Sequence, residues 1–304
     1  MGTEEKFSSG DFMEKLRHQS GNEREWNESY YFNFYDPQEN IGGFTRIGFK
    51  PNKKEGVGYL FLFYKDDILA FQSQEEIFRV PEEIRVGSLE FDPGWTVNFS
   101  GTMVGLHGNP KNVLLTFKFS EITQEFSYLE CVDNPQVKIA KVVAEDHYDQ
   151  MGVIEGDITV DSEVHTISGL GERDHSWGKR DWNAPDLWIY VTAHFNTEFG
   201  INIAKMVIKN QEIDAGFIMK NGKNVPVEKI LVNTISEENV QKRFEYTIWD
   251  CNKTHHILCG EVLKRVQIPY KEKDRISVLN ENLSQFTCGN KKGFGIAEYL
   301  VRIQ

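Results

Sequence analysis

The chain has 304 residues, with 34 Lys and Arg against 46 Asp and Glu, a net charge of -12. That length is long for one barrel and fits two domains, while the negative balance repels nucleic acid and anionic lipid surfaces. No segment approaches the ~20 consecutive apolar residues of a membrane helix, and the start Met1-Gly-Thr-Glu-Glu-Lys-Phe7 lacks the basic and apolar regions of a secretion signal, so a cytoplasmic location is expected.

Four widely spread cysteines, Cys131, Cys251, Cys259 and Cys288, are too few for a disulfide scaffold and fit a reducing compartment. In chain order, the first strand signal is Trp26-Asn-Glu-Ser-Tyr-Tyr-Phe-Asn-Phe34. Glu28 shares a face there with Tyr30 and Phe32. A carboxylate on an aromatic face sits either at the strand's exposed mouth or buried against a partner, and Arg173 or Arg180 across the domain junction is the expected partner. Aromatic and β-branched runs follow at Gly58–Tyr64, Ile68–Phe71, Trp95–Phe99 and Val113–Phe119, which predict a meander of antiparallel strands. Helices are expected to be few and short, with Gln136–His147 the best candidate. Glu145-Asp-His-Tyr-Asp149 concentrates ionisable groups without the spacing of a known metal cage, and reads as a solvated loop.

The segment Gly169–Trp182 packs Arg173, Asp174, His175, Arg180 and Asp181 among Trp177, Trp182 and three glycines. In extended conformation Arg173, His175 and Trp177 face one way, Asp174 and Ser176 the other. A His oriented by a carboxylate can act as acid or base near neutral pH, and a Trp face can stabilise a developing cation. The alternative is an Arg-Asp-His network that pins the crossover between domains, since ionic networks also shift pKa values without catalysing anything.

Further strands are predicted at Leu187–Phe195, Ile201–Ile208, Ala215–Met219, Arg243–Trp249, Ile257–Val266 and Phe294–Ile303, with Asn221-Gly222 as a hairpin turn. On the first of them Trp188, Tyr190, Thr192 and His194 share one face and Leu187, Ile189, Val191, Ala193 and Phe195 the other. The aromatic face with polar tips suits an amphipathic ligand pocket; it suits equally an outer face covered by the other domain. Cys251, His255 and Cys259 share a strand face, but ligands four residues apart on a strand lie about 13 Å apart, so no zinc site is expected there. No metal and no cofactor are expected anywhere in the chain. Many strands with short polar turns predict an all-β protein of two antiparallel β-barrel domains, residues 1–168 and 169–304, of a kind whose lumen can hold one small ligand.

Four motifs, Trp26-x-Glu-Ser-Tyr-Tyr-Phe32, His147-x-x-Gln150, Gly169-x-Gly-x-Arg-Asp-His-Ser-Trp-Gly-x-Arg-Asp-Trp182 and Gly293-x-Gly-x-x-Glu-Tyr-x-x-Arg302, resemble a family of paired domains of unknown function. That family is similar to the AttH-like and carotenoid 1,2-hydratase (hydroxyneurosporene synthase) group, whose wider relatives include fungal Diels-Alderase-type cyclases. The resemblance covers nearly the whole chain and implies two lipocalin-like barrels. In the hydratase, a His-x-Trp pair followed downstream by Tyr-x-Asp is associated with alkene protonation and hydration. His175-Ser-Trp177 matches the first pair. Trp188-Ile-Tyr190 and Tyr190-Val-Thr192 do not supply the acid of the second, and Asp174 is the candidate substitute.

The leading expectation is a cofactor-independent enzyme that hydrates, isomerises or cyclises a hydrophobic, isoprenoid-like substrate by proton transfer. Asp174 and His175 would manage the proton beside Trp177. Trp182, Trp188, Tyr190 and His194 would line the pocket with Glu28 and His147, while Arg173 and Arg180 would hold a polar end of the substrate or set the charge of Asp174. Two other classes remain open: a carrier of an apolar or amphipathic small molecule, and a structural protein in which the Arg-Asp-His segment joins two barrels. No nucleotide loop, nucleophile elbow or paired-cysteine site is present in the sequence, which argues against kinases, α/β-hydrolases and zinc enzymes.

Overall fold

The computed structural model describes residues 17–132, 146–180, 182, 184–237, 240–272 and 275–302. Its first sheet comprises β1 (Trp26–Asp36), β2 (Ile41–Lys50), β3 (Glu55–Tyr64), β4 (Asp67–Glu76), β5 (Ile84–Val86), β6 (Leu89–Phe91), β7 (Thr96–Gly105), β8 (Pro110–Glu121), β9 (Phe126–Ser127), β10 (Asp146–Val160) and β11 (Glu163–Lys179). The strand order is β4-β3-β2-β1-β11-β10-β8-β7-β6-β5, and a further pairing of β4 with β7 joins the sheet back on itself. The second sheet, β12 (Leu187–Asn196), β13 (Phe199–Ile208), β14 (Gln211–Lys220), β15 (Lys223–Glu237), β16 (Val240–Asp250), β17 (His255–Glu272), β18 (Arg275–Cys288) and β19 (Lys291–Arg302), is a closed antiparallel barrel. The all-β expectation holds.

The chain changes sheet between Lys179 and Leu187, and the division expected at 168/169 falls inside β11, which pairs with β1 and β10 along the first sheet. The helix expected at Gln136–His147 lies mostly outside the described residues; Asp146 and His147 open β10 instead. Asn221 and Gly222 both have positive φ, 52° and 75°, as a two-residue hairpin turn requires. All four cysteines are free, and Cys251 is exposed. Among the described residues no helix is long and apolar enough to cross a membrane.

β1 and β12 are each buried on both faces because each belongs to its own barrel and to the contact between barrels. On β1, Tyr30, Phe32 and Phe34 point into the first barrel with Phe91, Phe99 and Phe117, while Tyr31 and Tyr35 join Phe44, Tyr59 and Phe63 against Val266, Leu283 and Ile296 of the second. On β12, Ile189, Val191 and Ala193 fill the second barrel with Phe244, Tyr246 and Phe286, so the opposite face of Trp188, Tyr190, Thr192 and His194 is the outer one, turned to the first barrel. The lumen-lining alternative for that face is thereby corrected: the aliphatic residues take the interior because they have no polar tips to satisfy. Both barrel interiors are packed with side chains.

The Gly293-x-Gly295 pair marks a close approach of β19 to β12. A Cβ on Gly295 would run into the carbonyl oxygen of Thr192, and one on Gly293 into that of His194. Neither obstacle is a flexible side chain, so Gly295→Ala is expected to destabilise the fold by about 1–3 kcal/mol, the usual cost of overpacking, as read from a urea unfolding curve.

Candidate functional site

Two cross-strand rows build the site. On the outside of the first barrel, Asp149, Asp174, Tyr31, Arg46 and Tyr59 are direct register partners in turn across β10, β11, β1, β2 and β3. On the outside of the second, Tyr190, Glu298 and Glu281 are partners across β12, β19 and β18. The rows meet around a cavity of about 20 Å³, lined by Tyr31, Arg46, Tyr59, Asp174, Arg180 and Glu298 together with Ser29, His147, Trp182, Trp188, Tyr190 and Leu279. That volume holds one water. Arg46, Asp174 and Trp182 are the partly exposed members of the lining; Trp182 is stacked on Tyr270, and the Arg180 guanidinium lies over the Trp182 ring, 4.4 Å from its centroid.

The charge pattern is unusual for a packed interface. Asp149 and Asp174 stand directly opposite each other, as do Glu281 and Glu298, an arrangement that like charges disfavour. Asp149, Glu172 and Glu281 have no exposure at all. Facing these acids are Arg46, Arg180 and His147, so acids outnumber bases. Protons make up part of the difference. Burial, reinforced by Glu298, holds the Glu281 carboxyl well above the usual range, and burial with the neighbouring Asp149 does the same to Glu172. Glu298 is pushed up to about 7: burial raises it, and Arg180 and a hydrogen bond from Trp188 Nε1 at 2.5 Å pull it back. Tyr190 Oη lies 2.6 Å from Glu172 Oε1 and 2.9 Å from Asp149 Oδ1. Asp174 is lowered; burial opposes this, but His147, Arg180 and Arg46 outweigh it.

The other face of β11 carries a separate cluster at the end of the first barrel. His175 Nε2 lies 2.6 Å from Glu28 Oε1, His18 Nδ1 lies 3.1 Å from the same oxygen, and the His18 amide donates to Glu28 Oε2 at 2.9 Å. Trp177 stacks on His18 at 3.6 Å, and Tyr30 stacks on His175 at 4.7 Å. Glu28 therefore has imidazole partners, which corrects the expectation of Arg173 or Arg180. The reason is register: Glu28 is opposite Trp177 and one same-face step from His175, whereas Arg180 lies beyond the end of the strand. Arg173 reaches the Trp95 ring at 4.4 Å, donates to Gln150 at 2.7 Å and pairs with Glu125.

Glu28 also sets an acid-stability prediction. Burial would raise its carboxyl, but the hydrogen bonds and charges of His175 and His18 leave it below 4.5. A lowered folded-state pKa contributes stability that is present above the unfolded value and lost as pH falls through the folded one. Glu28→Gln is therefore expected to flatten the loss of stability below about pH 4.5, measured by urea unfolding across acid pH.

Of the residues singled out in the sequence, His147, Asp174, Arg180, Trp182, Trp188 and Tyr190 come together at the interbarrel cavity. Glu28, Arg173, His175 and Trp177 lie on the other side of β11. His194 is buried near neither cluster, and burial pushes its imidazole down to about 4. His147 and Asp149 are buried in a strand, which corrects the solvated-loop reading of that stretch. Sequence reasoning assigned no role to Glu298, Glu281, Glu172, Arg46, Tyr31 or Tyr59. The signal available for Glu298 was its place in Gly293-x-Gly-x-x-Glu298; Glu281 lies in a polar stretch with no apolar alternation to mark it.

The fold and this site define an all-β protein of two paired barrels with a small polar cavity between them. The chain belongs to the family described as Domain of unknown function (DUF7064), which matches residues 13–303. Among solved structures it is similar to an AttH-type protein from Nitrosomonas europaea (TM-score 0.61, 10% identity, 90% of this chain and 92% of that one). It is similar also to CghA (TM-score 0.59, 9% identity, 92% and 89%) and to kievitone hydratase from Nectria haematococca (TM-score 0.54, 12% identity, 91% and 89%). CghA has in addition been solved with Sch210972. No curated protein matches the sequence.

Proposed function

We propose that the chain is an acid–base enzyme that adds or relocates a proton on a hydrophobic, isoprenoid-like small molecule between its two barrels, as a hydratase, isomerase or cyclase. The observation that carries this reading is Glu298: a carboxyl in the cavity wall, held by Trp188, backed by the acid Glu281 and faced by Arg180. A carboxyl that is protonated near neutral pH can act as a general acid there. In a hydration, Glu298 gives its proton to an alkene carbon. The π faces of Trp182, Trp188 and Tyr190 stabilise the cation, a water adds to it, and that water's surplus proton returns to the Glu298 carboxylate. Isomerisation and cyclisation use the same first step and lose the proton from carbon instead. Asp174 and Arg180 set the field around the acid; His175 and Trp177 support the strand from its other face.

The cavity admits one water as it stands, so an organic substrate displaces wall side chains, and the partly exposed Trp182 is the first of these. Two related structures support small-molecule chemistry on this fold: one is named a hydratase, and the other has been solved with Sch210972. The packed interiors of both barrels weigh against a lumenal carrier. The excess of buried acids weighs against a purely structural junction, because an uncompensated buried charge destabilises and well-packed apolar side chains serve such a contact better. The test is a panel of isoprenoid alkenes and polyenes incubated in deuterated water and read by mass spectrometry. Deuterium incorporation into a bound compound is the expected result. Tight binding with no incorporation for any compound would overturn the enzyme in favour of a carrier, and no binding at all would overturn both.

A further inference from the structure

We propose that His147, Asp149 and Asp174 bind a divalent transition-metal ion at the floor of the interbarrel site. His147 and Asp149 alternate on β10, and Asp174 is the register partner of Asp149 on β11, so all three project from the same face of adjacent strands. Their ligand atoms lie within 4.8 Å of one another, with His147 Nε2 2.9 Å from Asp174 Oδ2 and 3.4 Å from Asp149 Oδ1. Two ligand atoms at ~2.0–2.1 Å from a common ion, at octahedral or tetrahedral angles, are about 2.9–3.4 Å apart.

A second observation points to a cation. His147 Nε2, Asp149 Oδ2, Asp174 Oδ1 and Glu172 Oε2 are buried, and none makes a hydrogen bond of acceptable geometry among the described residues. The competing arrangement is an imidazolium bridging two carboxylates. There Nε2 has one hydrogen for two acceptors and satisfies at most one of them. Buried polar atoms are almost always paired, and three of these four atoms belong to the side chains whose ligand atoms cluster, His147, Asp149 and Asp174.

The outer contacts also suit a metal. Tyr190 donates to Asp149 Oδ1, and Tyr190 and Asn202 both reach Glu172 Oε1, which orients the acids from outside as outer partners of metal ligands do. One imidazole nitrogen with carboxylate oxygens selects zinc, manganese or iron(II) over calcium, which prefers oxygen alone. His147 and Asp174 line the cavity, so the open side of the ion faces the water-sized space. This proposal stands apart from the role of Glu298, which shares the cavity but is not among the ligands.

The experiment is titration of chelator-stripped full chain with zinc by calorimetry, with cobalt as a spectroscopic probe and elemental analysis of the product. One ion per chain is expected, with visible cobalt bands of a protein site. His147→Gln and Asp149→Asn are expected to abolish uptake. Tyr190→Phe keeps every ligand and is expected to weaken zinc by ~10–100-fold, the usual loss of an outer partner; it serves if the ligand variants fail to fold. His18→Gln, which alters the separate His18, Glu28 and His175 cluster, is expected to leave zinc affinity unchanged. Absence of zinc and cobalt binding in the wild-type chain would overturn the proposal. So would binding that survives the β10 variants and Tyr190→Phe but is lost in His18→Gln, which places the ion at the other cluster.

Discussion

Glu298→Gln is expected to lower turnover by about 10²–10⁴-fold while leaving the affinity for a bound substrate nearly intact, because the amide keeps the shape and the Trp188 hydrogen bond but has no proton to give. In the wild-type enzyme, activity should fall as pH rises through about 7, as the acid loses its proton. Stability separates this role from a structural one. A folded-state pKa raised above the unfolded value contributes stability that is fully present below the unfolded value and lost as pH rises through the folded one. The wild type should thus lose stability between about pH 4.5 and 7, and the Gln variant should lose less, ending as the more stable protein at alkaline pH. A variant that is inactive and also less stable at every pH would mean that Glu298 holds the fold and does not carry the chemistry.

Arg180→Ala is expected to cost about 3–5 kcal/mol of stability at neutral and alkaline pH, the range for removing one partner from a buried charged group. The guanidinium is buried, faces Asp174 and Glu298, and covers Trp182; its hydrogen bond to Ser176 Oγ is 3.3 Å long. Without it Glu298 should move above 7, so the loss of stability should shrink at pH 5, where Glu298 is protonated anyway. Any residual activity should extend to higher pH than in the wild type. Denaturant unfolding at pH 5 and 8 decides the first point. A loss below about 1 kcal/mol at both, the range of exposed ion pairs, would mean that Arg180 is not the counter-charge of the buried acids.

The two predictions rest on residues that were unequally visible in the sequence. Arg180 stood out within a dense run of charge, glycine and tryptophan. Glu298 was one acid in an otherwise ordinary terminal strand, and its partner Glu281 lies in β18, which the sequence did not show as a strand at all. The reason lies in its burial pattern: Ser277, Asn280, Glu281, Asn282 and Ser284 are all buried there, so a reader looking for apolar alternation finds polar residues where the core should be. β15 escaped for the opposite reason, since much of it is exposed.

By itself the sequence determined the class of fold, the hairpin at Asn221-Gly222, the separation of Asp174 and His175 onto opposite faces of one strand, and the alternation of β12. Each of these follows from the two-residue period of a strand or from the backbone preference of a turn, which are local properties. Only the tertiary structure decided which face of β12 turns inward, that His175 pairs with Glu28 while Asp174 meets His147, and that Glu298, with Glu281 beside it, closes the cavity between the barrels. Those outcomes depend on register between strands far apart in the chain and on the docking of one barrel against the other. Alternation within a single strand carries no information about either, because it defines two faces without saying what will cover them.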